Sequence, residues 1–320
     1  MIDKCKFLIF IAILSISGCI KEANLSLGDL ERQPVLMALF AGNDNVDSKV
    51  RLTWSTKLET AISPVPEDAR VVYYIDGQPV GEAQPDSAGY CAIPRSFPQL
   101  GRAFTVEAHI PGYAPITATD TMPQWVEIYD NSFKPAGFKD EDNTIIHHAT
   151  VRFRDPPNVQ NYYEILFFRA GRSVDRYFTT YLQVPYEINA ILKNEHDQEF
   201  EPLSFFFSDE LFDGEILDFE ILLRNYVEQD IIKDRSPFYV REDGQYILFR
   251  AISRNWYDYL KTYTRHRYTR LVGQGLSGGA TFQDFQDLLF APEPTPMFSN
   301  VENGLGVVAG AHTQIIKLND

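Results

Sequence analysis

Between residues 35 and 122, short stretches of alternating apolar and polar residues are separated by turn chemistry at near-regular spacing. This pattern predicts half-buried strands, because side chains of a strand point to opposite faces with a period of two. Lys49 to Thr56 sets Val50, Leu52 and Trp54 against Arg51, Thr53 and Ser55. Phe104 to Ile110 sets Phe104, Val106 and Ala108 against Thr105, Glu107 and His109. Val35–Phe40, Ala69–Ile75 and Ile116–Met122 read the same way. Asp76-Gly77 is a hairpin signal, and Pro111-Gly112-Tyr113 turns the chain back. Seven or so such strands, without the interleaved helices of an α/β enzyme, indicate an immunoglobulin-like β-sandwich over residues 34–123, although the Cys–Trp–Cys signature is missing.

The remainder, 124–320, reads as a second β-rich domain, so the fold class is mainly β with two sandwich-like domains. Some three hundred residues after the N-terminal segment suit two cores better than one. Strands are expected at Thr150–Phe153, Tyr162–Arg169, Arg176–Leu182, Glu215–Leu223 and Tyr246–Ile252. Gly304–Ala309 and Thr313–Leu318 are expected to close the fold as two strands. One helix stands out near 256–268. Trp256, Tyr259, Leu260 and Tyr263 share a face at i, i+3, i+4 and i+7, with Asn255 as the expected cap and Tyr257 off the face as the exposed aromatic.

The first 33 residues differ in kind. Lys4 and Lys6 precede an apolar run, Phe7–Ile16, that is long enough for a signal peptide and too short to span a bilayer. Ile16-Ser17-Gly18-Cys19 resembles the lipobox of bacterial lipoproteins. Residues 1–18 are then a signal peptide, Cys19 is the lipidated first residue of the mature chain, and 19–33 is a polar tether. Two or more acyl chains are what stable anchoring takes. No Asp follows Cys19, and Lys21-Glu22 partly resembles a surface-export tag of Bacteroidota lipoproteins, so the outer membrane is expected, with either leaflet open. Of three cysteines, Cys5 leaves with the signal, Cys19 carries lipid and Cys91 remains as a small core residue.

A formal charge of −15 excludes nucleic acid as a partner, since phosphate binding needs clustered Lys and Arg. Several motifs fail on context. Gly273-Gln274-Gly275-Leu276-Ser277-Gly278 spells a dinucleotide loop but follows a helix instead of a strand. Gly275-Leu276-Ser277-Gly278-Gly279 spells a nucleophile elbow, with Asp284 or Asp287 and His312 downstream, but lacks βα alternation. His147-His148 point to opposite faces of a strand, and the acidic loop Asp140-Glu141-Asp142 lacks the spacing of a calcium loop. Asp209, Glu210 and Asp213 offer carboxylates for glycoside hydrolysis, and their Ser-Asp and Asp-Gly neighbours are equally ordinary turn formers. No catalytic residue, cofactor or metal ligand is expected; Cys19 is the one functional residue.

Four stretches together carry a family likeness: Asp155-Pro156-Pro157 with Asn161-Tyr162-Tyr163; Ser208-Asp209-Glu210-Leu211-Phe212-Asp213-Gly214; Ser253 through Tyr263; and Phe298 through Gly306. With the lipobox they resemble the Bacteroidota lipoprotein family known as domain of unknown function 4249, over nearly the whole chain. Val307-Val308 departs from it, where relatives are expected to carry a Phe. The resemblance implies an outer-membrane lipoprotein of unassigned activity whose genes lie beside TonB-dependent receptors. The expected function is therefore a lipid-anchored binding or accessory protein of a TonB-dependent transporter. The alternatives are a cell-envelope hydrolase acting on glycans or peptides, and a structural or adhesive surface lipoprotein.

Overall fold

The computed structural model describes residues 32–42, 48–56, 65–95, 97, 99–139, 145–170, 190–195, 204–224, 244–274 and 296–318. Seven strands build the first sandwich: β1 (Pro34–Phe40), β2 (Lys49–Trp54), β3 (Arg70–Ile75), β4 (Gln78–Ala83), β5 (Tyr90–Cys91), β6 (Ala103–His109) and β7 (Ile116–Thr121). One sheet runs β4-β3-β6-β7, and β1-β2-β5 lie side by side in another. This division is the immunoglobulin-like one. The predicted alternation is what the core uses. Leu36, Ala38 and Phe40 of β1, Val50 and Leu52 of β2, and Phe104, Val106 and Ala108 of β6 are all buried in one cluster. Cys91 joins that cluster as a free thiol, pushed up to about 11 by burial and then by the charge of Asp86. The Asp76-Gly77 turn has φ of 45° and 77° at its two central residues, the left-handed pair a two-residue hairpin turn needs.

The second sandwich comprises β8 (Ile128–Lys139), β9 (Ile145–Arg154), β10 (Tyr162–Ala170), β11 (Phe205–Ser208), β12 (Ile216–Arg224) and β13 (Gly244–Ile252). Its smaller sheet is β12-β9-β8. Short helix α1 (Ala190–Glu195) precedes β11, and α2 (Arg254–Gln274) follows β13. Phe153, Tyr163, Phe207, Phe219 and Phe249 fill its core, with Phe207 stacked on Phe219 at 4.9 Å. The expected strand at Arg176–Leu182 lies outside the described residues.

One element belongs to both sandwiches. In place of two closing strands there is a single strand, β14 (Val308–Lys317). Its first residues pair in parallel with β1, Ala38 opposite Val308 through Phe40 opposite Gly310. Its remainder pairs antiparallel with β13, Ile252 opposite Ala311 through Tyr246 opposite Lys317. The resulting seven-stranded sheet, β11-β10-β13-β14-β1-β2-β5, backs both cores, and residues Gln33–Asp320 form one compact unit. The first core also takes Val301 and Val308 from this end of the chain. Sequence alternation did not show the join, because β14 is buried from Val308 through Thr313 on both faces and so does not alternate.

The helix starts two residues earlier than predicted, at Arg254. Ser253, not Asn255, caps it: its Oγ accepts from Trp256 N at 3.3 Å and its carbonyl accepts from Tyr257 N at 3.1 Å. Asn255 instead reaches Thr119 O on β7 at 3.5 Å. Tyr257, expected to be exposed, is 7% exposed. Its ring lies 4.6 Å from that of Tyr162, and Phe206 meets it edge-on. A single-stripe reading failed because α2 is covered on two sides. Tyr257 and Leu260 pack toward β10 and β11, while Thr262 Oγ1 accepts from Phe298 N at 2.9 Å.

Candidate functional site

Two of the loops that mark the sequence meet at one end of the second sandwich. Asp155, at the end of β9, is fully buried. Its Oδ1 accepts from the Tyr163 hydroxyl and from Asn161 Nδ2 (3.2 Å), and its Oδ2 from Gly214 N (2.8 Å). Asp209, 2% exposed, accepts through Oδ2 from Asn161 N (2.7 Å) and Asn161 Nδ2 (3.1 Å). Asp213 is exposed and accepts from Asn158 N at 2.9 Å. Carboxylate oxygens of the three lie within 4.8 Å of one another. Gly214 has φ of +75°, and a Cβ there would stand 2.8 Å from that of Pro157, so the two loops approach more closely than other residues allow.

Burial pushes the carboxyls of Asp155 and Asp209 above the ordinary range, against the pull of their donors. Such groups hold a proton more readily than surface acids do. For a hard cation the triad offers three carboxylates where calcium takes about six to eight oxygens. Asn161 already points donors at two of the three acids. The arrangement therefore acts chemically as a brace: each buried acid binds backbone or side-chain donors of the loop opposite. The sequence marked Asp209, Glu210 and Asp213 as carboxylates and Asp155-Pro156-Pro157 as part of the family likeness, without giving Asp155 a chemical role; the signal was there in an Asp next to a turn, without a partner to assign. Glu210 points to solvent. The loop tips carry Val159 and Leu211, 60% and 57% exposed.

Three further polar centres lie around α2. Glu164 on β10 pairs with Arg250 on β13 at 3.0 Å and accepts from Trp256 Nε1 at 3.1 Å, with all but 4% of its side chain buried. Glu195 of α1 accepts from Ser208 N (2.8 Å), Ser208 Oγ (2.5 Å) and the Tyr257 hydroxyl, and pairs with Lys261 at 3.1 Å. Burial pushes Glu195 up, yet its donors together hold it below the usual range. Asp120 of β7 accepts from Gly310 N on β14 at 3.0 Å and bonds Ser253 and Asn255 at the start of α2. Burial is the largest influence on it, and pushes it up to about 6. None of these centres stood out in sequence.

The remaining sequence candidates are not brought together. His312 is buried, its Nδ1 has no partner among the described residues, and burial pushes its imidazole below the usual range. Its ring lies 4.6 Å from Trp125. Ser277, Asp284 and Asp287 lie outside the described residues, as do Cys19 and the acidic loop at Asp140–Asp142. His148 is 3.8 Å from Glu220 across the β9–β12 pair. The helix α2 runs through Gln274, so the first two residues of the Gly-rich motif lie on a helix, and the rest of it lies outside the described residues.

Phe298 through Gly306 lies against both α2 and the first sandwich: Asn300 bonds Val308 through both side-chain ends, and Glu302 bridges to Thr117. All four marker stretches thus sit at contacts that fix the fold. No curated protein matches the sequence. The family described as Domain of unknown function (DUF4249) matches residues 35–315, nearly the whole body, and the chain belongs to that family.

Proposed function

We propose that this protein is a lipid-anchored binding protein of the outer membrane, held by Cys19 and working as an accessory to a TonB-dependent transporter. The observation that supports a binding role is the braced loop pair. Val159 and Leu211 are large apolar residues standing in solvent on loops that Asp155, Asp209 and Asn161 hold fixed. Exposed Glu210, Asp213 and Glu215 rim them with negative charge. A preorganised apolar tip loses little freedom on docking. A partner suited to it has an apolar socket with a basic rim. Of the carboxylates a hydrolase could use here, Asp155 and Asp209 are buried and already accept from donors of the facing loop, which leaves Glu210 and Asp213 without a buried acid free to work beside them.

Affinity purification of the tagged, crosslinked protein from its native envelope tests the proposal. A TonB-dependent receptor is expected with the wild-type chain, and less of it with Val159→Asp/Leu211→Asp. Recovery of no outer-membrane protein above a control lipoprotein contradicts the accessory role. The anchor is tested apart from it: Cys19→Ala moves the protein to the soluble fraction, and a variant that stays with the membrane refutes lipidation as the tie.

A further inference from the structure

We infer that the end of the first sandwich where the chain joins the body is a lipid-contacting surface, with Tyr113, Trp54 and Leu305 meeting the headgroup region of a zwitterionic bilayer. The inference rests on the proposed lipid at Cys19. The join is fixed by two bonds, Gln33 N to Ser55 Oγ at 2.9 Å and Ser55 N to Gln33 O at 2.8 Å. Thirteen residues, 20–32, separate Cys19 from Gln33 and reach at most roughly 45 Å fully extended. The chain that leads from Cys19 enters the body at this end, so this is the end that a lipid there meets with the tether slack, and the far end is met only with it drawn out.

The surface at this end suits that neighbour. The β6–β7 turn, Pro111-Gly112-Tyr113-Ala114-Pro115, is exposed at every residue and carries no charge. Tyr113 is 49% exposed, with its ring 4.9 Å from that of Trp54 at the end of β2. Trp54 is paired with Pro34, whose carbonyl accepts from Leu305 N at 2.9 Å, and Leu305 is 42% exposed. Asn303 Nδ2 bonds Pro115 O at 2.9 Å, which locks the 302–305 turn against the uncharged loop. Tyr and Trp place an apolar ring and a polar edge together, which suits the boundary between headgroups and acyl chains. Electrostatics do not draw the body down: its net charge is −15, and exposed Glu67, Asp68 and Glu302 lie near this end. The contact is accordingly with neutral lipid, through the uncharged loop and its aromatic neighbours.

The other end of the shared sheet serves as the control. Lys317 closes β14, and from the level of Leu305 beside Val35 it is about twelve residues away along paired strands, roughly 40 Å. Full-length lipidated protein carrying Tyr113→Cys or Lys317→Cys is labelled with an environment-sensitive fluorophore, for which buried Cys91 does not compete. Each is floated with phosphatidylcholine vesicles. The expected result is a blue shift at position 113 with loss of most of the emission to a lipid-borne quencher, and a water-like signal at 317. A water-like signal at 113 in floated protein overturns the contact while leaving the anchor intact. An equal response at both positions overturns the assignment to this end. Wild-type protein that stays at the bottom of the gradient overturns the anchor, and the contact with it.

Discussion

The two sandwiches are held by different means. The first is a core of alternating apolar side chains with aromatic rings at its centre: Phe40 meets Phe97 at 4.6 Å and Phe104 at 5.1 Å, both edge-on. Among its described polar residues Thr53 is buried, and Asp120 is largely withdrawn from water where β7 meets β14. The second has an aromatic core as well, but buries Asp155, Asp209, Glu164, Arg250 and Ser208 with it. Apolar burial is non-directional and tolerates small shifts. A buried acid is stable only while its donors stay in place. The second half is thus the one whose loops are geometrically specified, and it is the half that presents Val159 and Leu211.

That contrast can be broken most strongly in the first core. Phe40→Ala removes the ring shared by Phe97 and Phe104 and is expected to cost about 4 kcal/mol by chemical denaturation. Asp155→Ala deprives Tyr163, Asn161 and Gly214 of their acceptor and is expected to cost about 3 kcal/mol. A loss below about 1 kcal/mol would show that the brace is not what holds the loops. For Glu164 and Arg250 the sign of coupling is the test. Either Glu164→Leu or Arg250→Met alone leaves an unpaired buried charge and costs about 3 kcal/mol, whereas the double variant loses less than either single one.

The pH dependence is the most local effect. Asp120 has a carboxyl raised to about 6, so the folded state binds its proton more tightly than the unfolded chain. Its contribution is fully present below the unfolded value near 4 and is lost as pH rises through about 6, about 3 kcal/mol in all. Asp155 and Asp209 are raised and act in the same sense, while Glu195 is lowered and loses its contribution as pH falls. The Asp120 share is isolated by comparison: Asp120→Asn is expected to flatten the fall in stability between pH 4 and 6 that is expected of the wild-type chain. An unchanged slope contradicts the assignment.

The same contrast decides how much could be read from sequence. Strands β1, β2, β3 and β6 alternate because one face is buried, and each was legible from its own residues. At β8 the sequence suggests a strand only over Val126–Tyr129, whereas the strand starts at Ile128 and runs on through Pro135 and Gly137, residues that ordinarily interrupt one, to Lys139. The carboxylate brace was half visible. Asp209 and Asp213 share a turn-rich stretch, but Asp155 is more than fifty positions away and is joined to them only through the fold. Glu164 and Glu195 look like surface acids on a strand and a short helix; the partners that allow their burial, Arg250, Trp256 and Tyr257, come from later elements. Tyr257 was misplaced because helical periodicity locates one apolar face and cannot reveal a second covering layer.

The central claim is that β14 completes both sandwiches, so that two cores of different character form one unit. Differential scanning calorimetry of the wild-type chain tests it directly. A single transition whose calorimetric and van't Hoff enthalpies agree is the predicted result. Two resolved transitions, with Phe40→Ala shifting only one of them, would contradict it.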